Sequence, residues 1–411
     1  KPFWVTVGRM LTQLTTGAAA GMTIAFTFPG QGSQKPGMGR AWVDHESWEL
    51  VDEASEAAGR DVAHLLLDAD AGELTQTRNA QLATYVLSLV VLDAVERLGV
   101  EPMVVAGHSL GEYTALTAAG ALQFADGVRL VTERGEAMQV AAEERAGTMA
   151  AVLGLDDDKV EIACMRAAAD VWPANFNAPG NVVVAGDPGA IASASEIAKE
   201  LGASKVLPIK VSGAFHTPYM APARDRLRKA LGEVELRGLE VPVIANVDAI
   251  PHDDVEDWAG LLTAQLCSPV RWRQSLHALA DMGVLTVVEL GPGAVLTGTV
   301  KRTVDRVKGL AIGDPDALDT LLERLAGDAG AVHHEGEHLF MTERVVVSPA
   351  AGLFEPAADL DAGRSIEAGE LLGTVAGAEV RSPFAGRIEG VLAHLGERVL
   401  SRQPIAWLRT A

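Results

Sequence analysis

Five consecutive residues, Gly107-His108-Ser109-Leu110-Gly111, have the G-x-S-x-G spacing of a nucleophile elbow. Glycines on either side of a serine permit a tight strand-to-helix turn that pushes the hydroxyl outward. The backbone N–H of the following residue, Leu110, can then face an oxyanion developing at an attacked carbonyl. The pattern alone is weak, because Gly and Ser are common. It gains weight from the buried-strand character of Met103–Ala106 before it and the helical stretch opening near Glu112 after it. A serine hydroxyl is a poor nucleophile at neutral pH and needs a base. Among ten histidines, His216 stands out. It lies in Ser212-Gly213-Ala214-Phe215-His216-Thr217, directly after a strand-like run, in a loop at a sheet edge.

The elements that must position this pair follow from periodicity. Thr23–Phe28 is a short strand ending in the turn-rich Pro29-Gly30-Gln31-Gly32-Ser33-Gln34. Helical patterns follow around Glu49–Ala58 and Ala80–Leu98. Alternating strands and helices imply an α/β sheet with parallel strands. From Thr148 the rhythm changes. A strand (Thr148–Leu155), a helix N-capped within Asp156–Asp158 and reaching about Ala169, strands near Val171–Asn175 and Asn181–Ala185, a helix over Ala190–Leu201 and a strand over Lys205–Val211 give the order β-α-β-β-α-β. That order is the ferredoxin-like pattern, inserted over about residues 147–212. The main sheet resumes at Val243–Asn246 and Val284–Leu290. Gly291-Pro292-Gly293 breaks the chain before a helix at Ala294–Val307, and a last helix spans roughly Ala317–Ala326.

Residues 327–340 read as a linker, small, polar and acidic. Beyond it, over residues 341–411, two halves resemble each other. Ser348-Pro349-Ala350-Ala351-Gly352 aligns with Ser382-Pro383-Phe384-Ala385-Gly386, and the same offset pairs Arg364 with Arg398 and Leu371 with Ile405. Short β-rich runs without a helical period predict two interlocked half-sandwiches of strands.

The chain has 411 residues, 48% of them hydrophobic, enough for several domains and a large core. A formal net charge of −21 argues against nucleic-acid binding. The longest apolar runs, near Val86–Val91, are too short to span a bilayer. Two distant cysteines, Cys164 and Cys267, read as ordinary thiols in a reduced, cytoplasmic setting rather than a disulfide framework. Residues 1–21 hold a small-residue run, but Arg9, Gln13 and Thr15–Thr16 interrupt it, so it is taken as an extension rather than a signal peptide, with Met22 opening the folded unit over residues 22–326.

From about Met22 to Ala326 the chain resembles the malonyl-CoA:acyl carrier protein transacylases and the acyltransferase domains of polyketide synthases. The resemblance is carried by Phe28–Gln34, Gly107–Glu112, Arg134-Gly135-Glu136-Ala137-Met138, Gly213–His216, Asn246-Val247-Asp248-Ala249 and Glu289-Leu290-Gly291-Pro292-Gly293. It implies an α/β-hydrolase-like large part and transfer of a malonyl group from malonyl-CoA to the phosphopantetheine thiol of an acyl carrier protein, through a malonyl-serine, in fatty-acid or polyketide synthesis. Ser109 would be the nucleophile and His216 its base. The backbone N–H groups of Gln31 and Leu110 would form the oxyanion hole. Arg134 would bind the malonyl carboxylate, and Gln265 would orient His216 through its main-chain carbonyl. Asn177, in a loop, would lie near the site. Gly-Ala-Phe-His at 213–216 resembles the His-Ala-Phe-His form associated with malonyl, departing at Gly213, and Phe215 would crowd a substituent on the malonyl α-carbon. No metal or redox cofactor is implied, since malonyl-CoA and the carrier are substrates.

A hydrolase of the same fold would accept water instead, but it has no need of Arg134. A decayed protein whose C-terminal module does the work is a second alternative, and retention of every catalytic position speaks against it. An acidic carrier would need basic partners. Arg224, Arg226, Arg228 and Lys229 cluster on a helix after His216, and Lys301-Arg302 follow the Gly291–Gly293 turn, so these are candidate docking residues. Residues 341–411 resemble biotinyl and lipoyl carrier domains of barrel-sandwich hybrid type. Their expected hairpin tip, Ala376-Gly377-Ala378-Glu379, has no lysine, and the last lysine of the chain is Lys308. The module is therefore expected to dock or oligomerise, for instance near a carboxylase or another synthase component, and to carry no biotin or lipoyl group.

Overall fold

The computed structural model describes residues 23–329 other than 168 and 212, and residues 343–409 other than 358, 359 and 400–402. The expected extension 1–21 and Met22, linker positions 330–340, Met341 and Ser212 lie outside the described residues. The described residues fall into two compact units, one before and one after residue 331.

In the first unit, β1 (Ile24–Phe28) is buried at every position, as a parallel strand covered on both faces must be. It pairs in parallel with β2 (Val104–Gly107), Phe28 lying opposite Gly107. The insert contributes β3 (Thr148–Leu153), β4 (Val171–Ala178), β5 (Asn181–Gly186) and β6 (Lys205–Ile209). The main sheet then adds β7 (Val243–Ile244), β8 (Pro251–His252), β9 (Thr286–Leu290) and β10 (Lys308–Ile312), in the order β10-β9-β1-β2-β7-β8. All its pairings are parallel except that of β8 with β7. Alternate residues feed two cores. Ile24, Phe26, Phe28 and Val105 face the larger one, packed against the long helices Thr77–Glu96 and Phe124–Glu144, while Ala25, Val104 and Ala106 face a second with Trp272 and Leu276.

The insert is an antiparallel sheet in the order β4-β5-β3-β6, with helices Asp157–Arg166 and Pro188–Glu200 over its own core. Asp156 precedes the first helix without making a side-chain cap bond; Asp157 and Asp158 instead put negative charge in the first turn. β4 is tied to the large part by backbone bonds, Phe176 N donating to Val270 O (2.9 Å) and Val270 N to Ala174 O (2.9 Å).

Several boundaries differ from expectation. The helix expected to reach Val307 stops at Thr303, because the chain there turns into the unanticipated edge strand β10. The last helix runs from Asp316 to Ala329, so positions 327–329 of the expected linker are helical.

The second unit comprises β11 (Glu343–Val347), β12 (Gly352–Pro356), β13 (Ser365–Ile366), β14 (Leu371–Val375), β15 (Ala378–Arg381), β16 (Gly386–Val391), β17 (Arg398–Val399) and β18 (Pro404–Arg409). They form two sheets, β11-β18-β16-β13 and β15-β14-β12-β17. Advancing every strand of one sheet by four positions, cyclically, yields the other, so each sheet mixes strands of both halves. The repeated serines are buried and bonded alike. Ser348 Oγ donates to Ala350 O (2.6 Å) and Ser382 Oγ to Phe384 O (2.7 Å). Between the halves, Ala376 (φ 50°) and Gly377 (φ 81°) make a two-residue turn with positive φ at both positions.

Candidate active site

The elbow is enforced by steric contact. A Cβ on Gly107 would sit 1.9 Å from the Gly111 backbone, and one on Gly111 would sit 2.1 Å from Phe28 O. Gly30 is equally constrained, its hypothetical Cβ lying 2.4 Å from His108 O, so the Pro29–Gln34 loop can press onto the elbow only with glycine there. Ser109 has φ 53° and His216 φ 60°; they are two of four described non-glycine residues with positive φ. Such strain persists only where the surroundings over-determine it. For Ser109 the clamp is Asn246, whose Oδ1 accepts from Ser109 N (2.7 Å) and whose Nδ2 donates to Gly107 O (2.7 Å).

The expected pair meets across 107 residues of sequence, with Ser109 Oγ 2.8 Å from His216 Nε2. His216 Nδ1 is 2.9 Å from Gln265 O, the main-chain carbonyl anticipated for this role. A carbonyl can only accept, so Nδ1 carries the proton and Nε2 is free to accept from the serine hydroxyl. Burial pushes His216 down to about 3, against the Gln265 carbonyl bond that favours the protonated form, while Arg134 adds to the depression. The imidazole is therefore neutral at physiological pH.

Arg134, on helix Phe124–Glu144, is buried at 1% exposure. Its partners are neutral. It donates to Gln81 Oε1 (2.6 Å) and Gln265 Oε1 (2.8 Å), reaches to 3.3 Å from Ser109 Oγ, and lies over the Tyr113 ring. Desolvation lowers its pKa. Phe215 is buried in the wall of the same cavity, about 230 Å³ in volume. The departure at Gly213 has a local reason: a Cβ there would be 2.7 Å from Ala142 Cβ and 3.1 Å from the Phe215 ring. Gln31 and Leu110 line the cavity beside Ser109, and among the described residues their backbone N–H groups have no acceptor.

Asn177 stands on strand β4 rather than in a loop, because the strand runs on to Ala178, past the expected end at Asn175. Its Oδ1 accepts from His108 Nε2 (2.9 Å), joining the insert to the elbow. The expected basic cluster on helix Ala221–Leu231 is partly neutralised. Arg224 pairs with Asp225 (3.1 Å) and Arg226 with Glu133 (2.8 Å), leaving Arg228 and Lys229 exposed. Lys301 and Arg302 close helix Val295–Thr303, and Arg302 also borders the cavity. Cys164 is buried, Cys267 only half-buried, and neither is in a disulfide. Among the described residues no three His, Cys, Asp or Glu could hold a metal ion together, and no helix is long and apolar enough to cross a membrane.

Sequence reasoning assigned no role to Asn246, Glu112, Gln81 or His108. Asn246 and Glu112 fell inside motif segments, but their partners lie more than 130 positions away, and spacing cannot reveal that. Gln81 is one of several polar residues buried in helix Thr77–Glu96, with Asn79, Thr84 and Ser88, so its type alone does not single it out.

Residues 25–334 match the acyl transferase domain family. The chain belongs to that family. It is 41% identical over 307 residues to the malonyl CoA-acyl carrier protein transacylase of Bacillus subtilis strain 168, covering 74% of this chain and 97% of the relative. The enzyme of that name from Escherichia coli K12 is also 41% identical, over 73% of this chain and 98% of its own length. Among solved structures, an acyl-carrier-protein S-malonyltransferase from Burkholderia pseudomallei superposes with a TM-score of 0.71 at 43% identity, covering 74% of this chain and all of that one. A malonyl-transacylase in complex with a type II PKS acyl-carrier protein gives 0.71 at 37% identity, over 74% and 99%. The family match ends before β11.

Proposed function

We propose that this chain transfers a malonyl group from malonyl-CoA to the phosphopantetheine thiol of an acyl carrier protein, in fatty-acid or polyketide synthesis, through a malonyl-serine at Ser109. His216 Nε2 takes the Ser109 proton as Oγ attacks the thioester carbonyl. The tetrahedral oxyanion sits on the N–H groups of Gln31 and Leu110, each donor contributing roughly 3 kcal/mol to the barrier reduction. The intermediate collapses, the carbon–sulfur bond breaks, and His216 returns the proton to the departing coenzyme A thiolate. The carrier thiol then attacks the malonyl-serine, with His216 again as base and Ser109 as leaving group. Two successive acyl transfers on one serine mean ping-pong kinetics.

The observation that carries this reading is the guanidinium of Arg134, buried at 1% exposure, bonded only to neutral groups and 3.3 Å from Ser109 Oγ. A buried cation without an anionic partner is costly unless a ligand supplies one. A carboxylate two bonds from the attacked carbonyl does so with bidentate geometry. A hydrolase of simple acyl groups would leave that guanidinium without an anion in direct contact. Incubation with malonyl-CoA should add one malonyl mass to the protein, and Ser109→Ala should abolish it. An adduct that persists in the Ala variant overturns the assignment.

The large part reads as α/β-hydrolase-like with a ferredoxin-like insert at about residues 147–212, and the β-α-β-β-α-β order of the insert supports this. Residues 341–411 read as a barrel-sandwich hybrid akin to biotinyl and lipoyl domains, supported by the half-repeat and the hairpin at Ala376-Gly377. Lacking lysine, it serves as a docking or oligomerisation element. The carrier docks near Arg228, Lys301 and Arg302, with Arg224 contributing less because Asp225 holds it. Neither metal nor redox cofactor enters the steps, and two free thiols suit a reduced, cytoplasmic setting.

A further inference from the structure

Glu112 is fully buried one residue into helix Gly111–Ala118, and the chemistry above does not use it. Its two oxygens face different donors. Oε1 accepts from Asn246 N (2.6 Å), and Oε2 accepts from Gln265 Nε2. Asn246 clamps Ser109, and Gln265 joins Glu112 to the catalytic pair and Arg134. The Gln265 carbonyl holds His216, its Oε1 receives Arg134, and its Nε2 also donates to Ser109 O (2.8 Å). The Gln265 side chain is thus an amide strung between a guanidinium, which can only donate, and a carboxylate, which can only accept while ionised. That polarity admits one orientation of the amide. Reversed, it would put N–H groups against Arg134 and an oxygen against Glu112.

We propose that Glu112 is a positioning residue: through the Gln265 amide it serves as remote counter-charge to Arg134 and fixes the orientation that aims the guanidinium at the acyl carboxylate. The inference rests on the reading of Arg134 as carboxylate ligand. Burial raises the Glu112 pKa to about 8, opposed by the Asn246 and Gln265 N–H groups and by Arg134. Both oxygens nevertheless meet N–H donors, so protonating either one would forfeit a hydrogen bond.

Glu112→Gln removes the charge but not the bulk. Its one amide oxygen still accepts from Asn246 N, which turns its NH2 toward Gln265, so the reversed form becomes populated and pushes Arg134 off its aim. The expected result is a rise of about tenfold or more in the KM for malonyl-CoA, with a matching loss of preference for malonyl over acetyl in Ser109 acylation, as the loss of one charge-assisted bond would give. Combined with Arg134→Ala, the Gln change should cause no further loss of preference. Glu112→Asp, which keeps the charge, should retain the preference, and it decides the matter against Glu112→Asn if the Gln variant does not fold. Unaltered preference in folded Glu112→Gln, or additive losses in the double variant, would overturn the proposal. If Arg134→Ala alone keeps the malonyl preference, the reading of Arg134 fails instead.

Discussion

His216 offers the sharpest quantitative test. In the unfolded chain its imidazole titrates near 6.5, and in the fold burial lowers this to about 3. Between those values the unfolded state binds a proton that the native state refuses, so stability falls as pH falls. The loss begins near pH 6.5, grows by about 1.4 kcal/mol per pH unit, and levels off below about pH 3. At pH 4.5, two units below the start, His216 alone should cost roughly 3 kcal/mol. His216→Asn removes this titration while keeping an N–H able to donate to Gln265 O. Its own packing cost is independent of pH. Denaturant unfolding of both proteins from pH 8 to 4.5 therefore isolates the effect, because the other groups, including buried His108, are common to both. The stability advantage of the variant relative to wild type should grow by roughly 3 kcal/mol across that range. Malonyl-serine formation should correspondingly lack an acid limb at pH 6.5. Parallel stability curves, or a limb at 6.5, would refute the claim that a buried, neutral imidazole is the resting base.

Arg134→Ala removes two charge-assisted bonds to the substrate carboxylate, so malonyl-CoA should lose about 10²–10³-fold in kcat/KM relative to acetyl-CoA, measured by competitive acylation of Ser109. Phe215→Ser should open the cavity wall and raise methylmalonyl transfer relative to malonyl, which single-substrate rates would reveal; an unchanged ratio would clear Phe215 of the role. Charge reversal at Arg224 and Arg228 should raise the carrier's KM, more at low salt, and spare self-malonylation, with the larger share from Arg228. Expression with biotin ligase and lipoate ligase should leave the intact mass of residues 341–411 unchanged, and removing them should spare malonyl transfer to free carrier protein.

The parts legible in sequence are those whose signal is local. The elbow declared itself because its five-residue spacing is local, Gly107 pressing on Gly111, although Gly111 itself presses on the distant Phe28 O. The insert was readable because each element has its own period. His216 was singled out by its place after a strand, and the structure puts it on Ser109. What stayed hidden depends on convergence. The Asn246 clamp and the Glu112–Gln265–Arg134 chain join positions on four separate elements, and nothing in spacing reports such a meeting. β10 was missed because Lys308-Gly309-Leu310-Ala311-Ile312 is short and carries Lys and Gly, and pairing with β9 overrides its weak propensity. The basic cluster after His216 is less open than its positive residues suggest for a related reason: Asp225 pairs with Arg224, and Glu133, on a different helix, pairs with Arg226.

The cyclic order of strands in the second unit has a topological consequence. β11 pairs antiparallel with β18, setting Glu343 opposite Arg409. Under the half-repeat, that place corresponds to the junction of β14 and β15, where Val375 lies opposite Ala378 and two residues suffice to link them. The unit is in effect a ring of eight strands opened at one of two equivalent hairpins. Bridging Glu343 and Arg409 with a short Asn-Gly linker and cutting between Ala376 and Gly377 would produce a circular permutant with the same strand neighbours and the same buried serines. Each half alone would lack the partner strands that complete either sheet, so the two have to fold as one cooperative body, through contacts that are mostly distant along the chain.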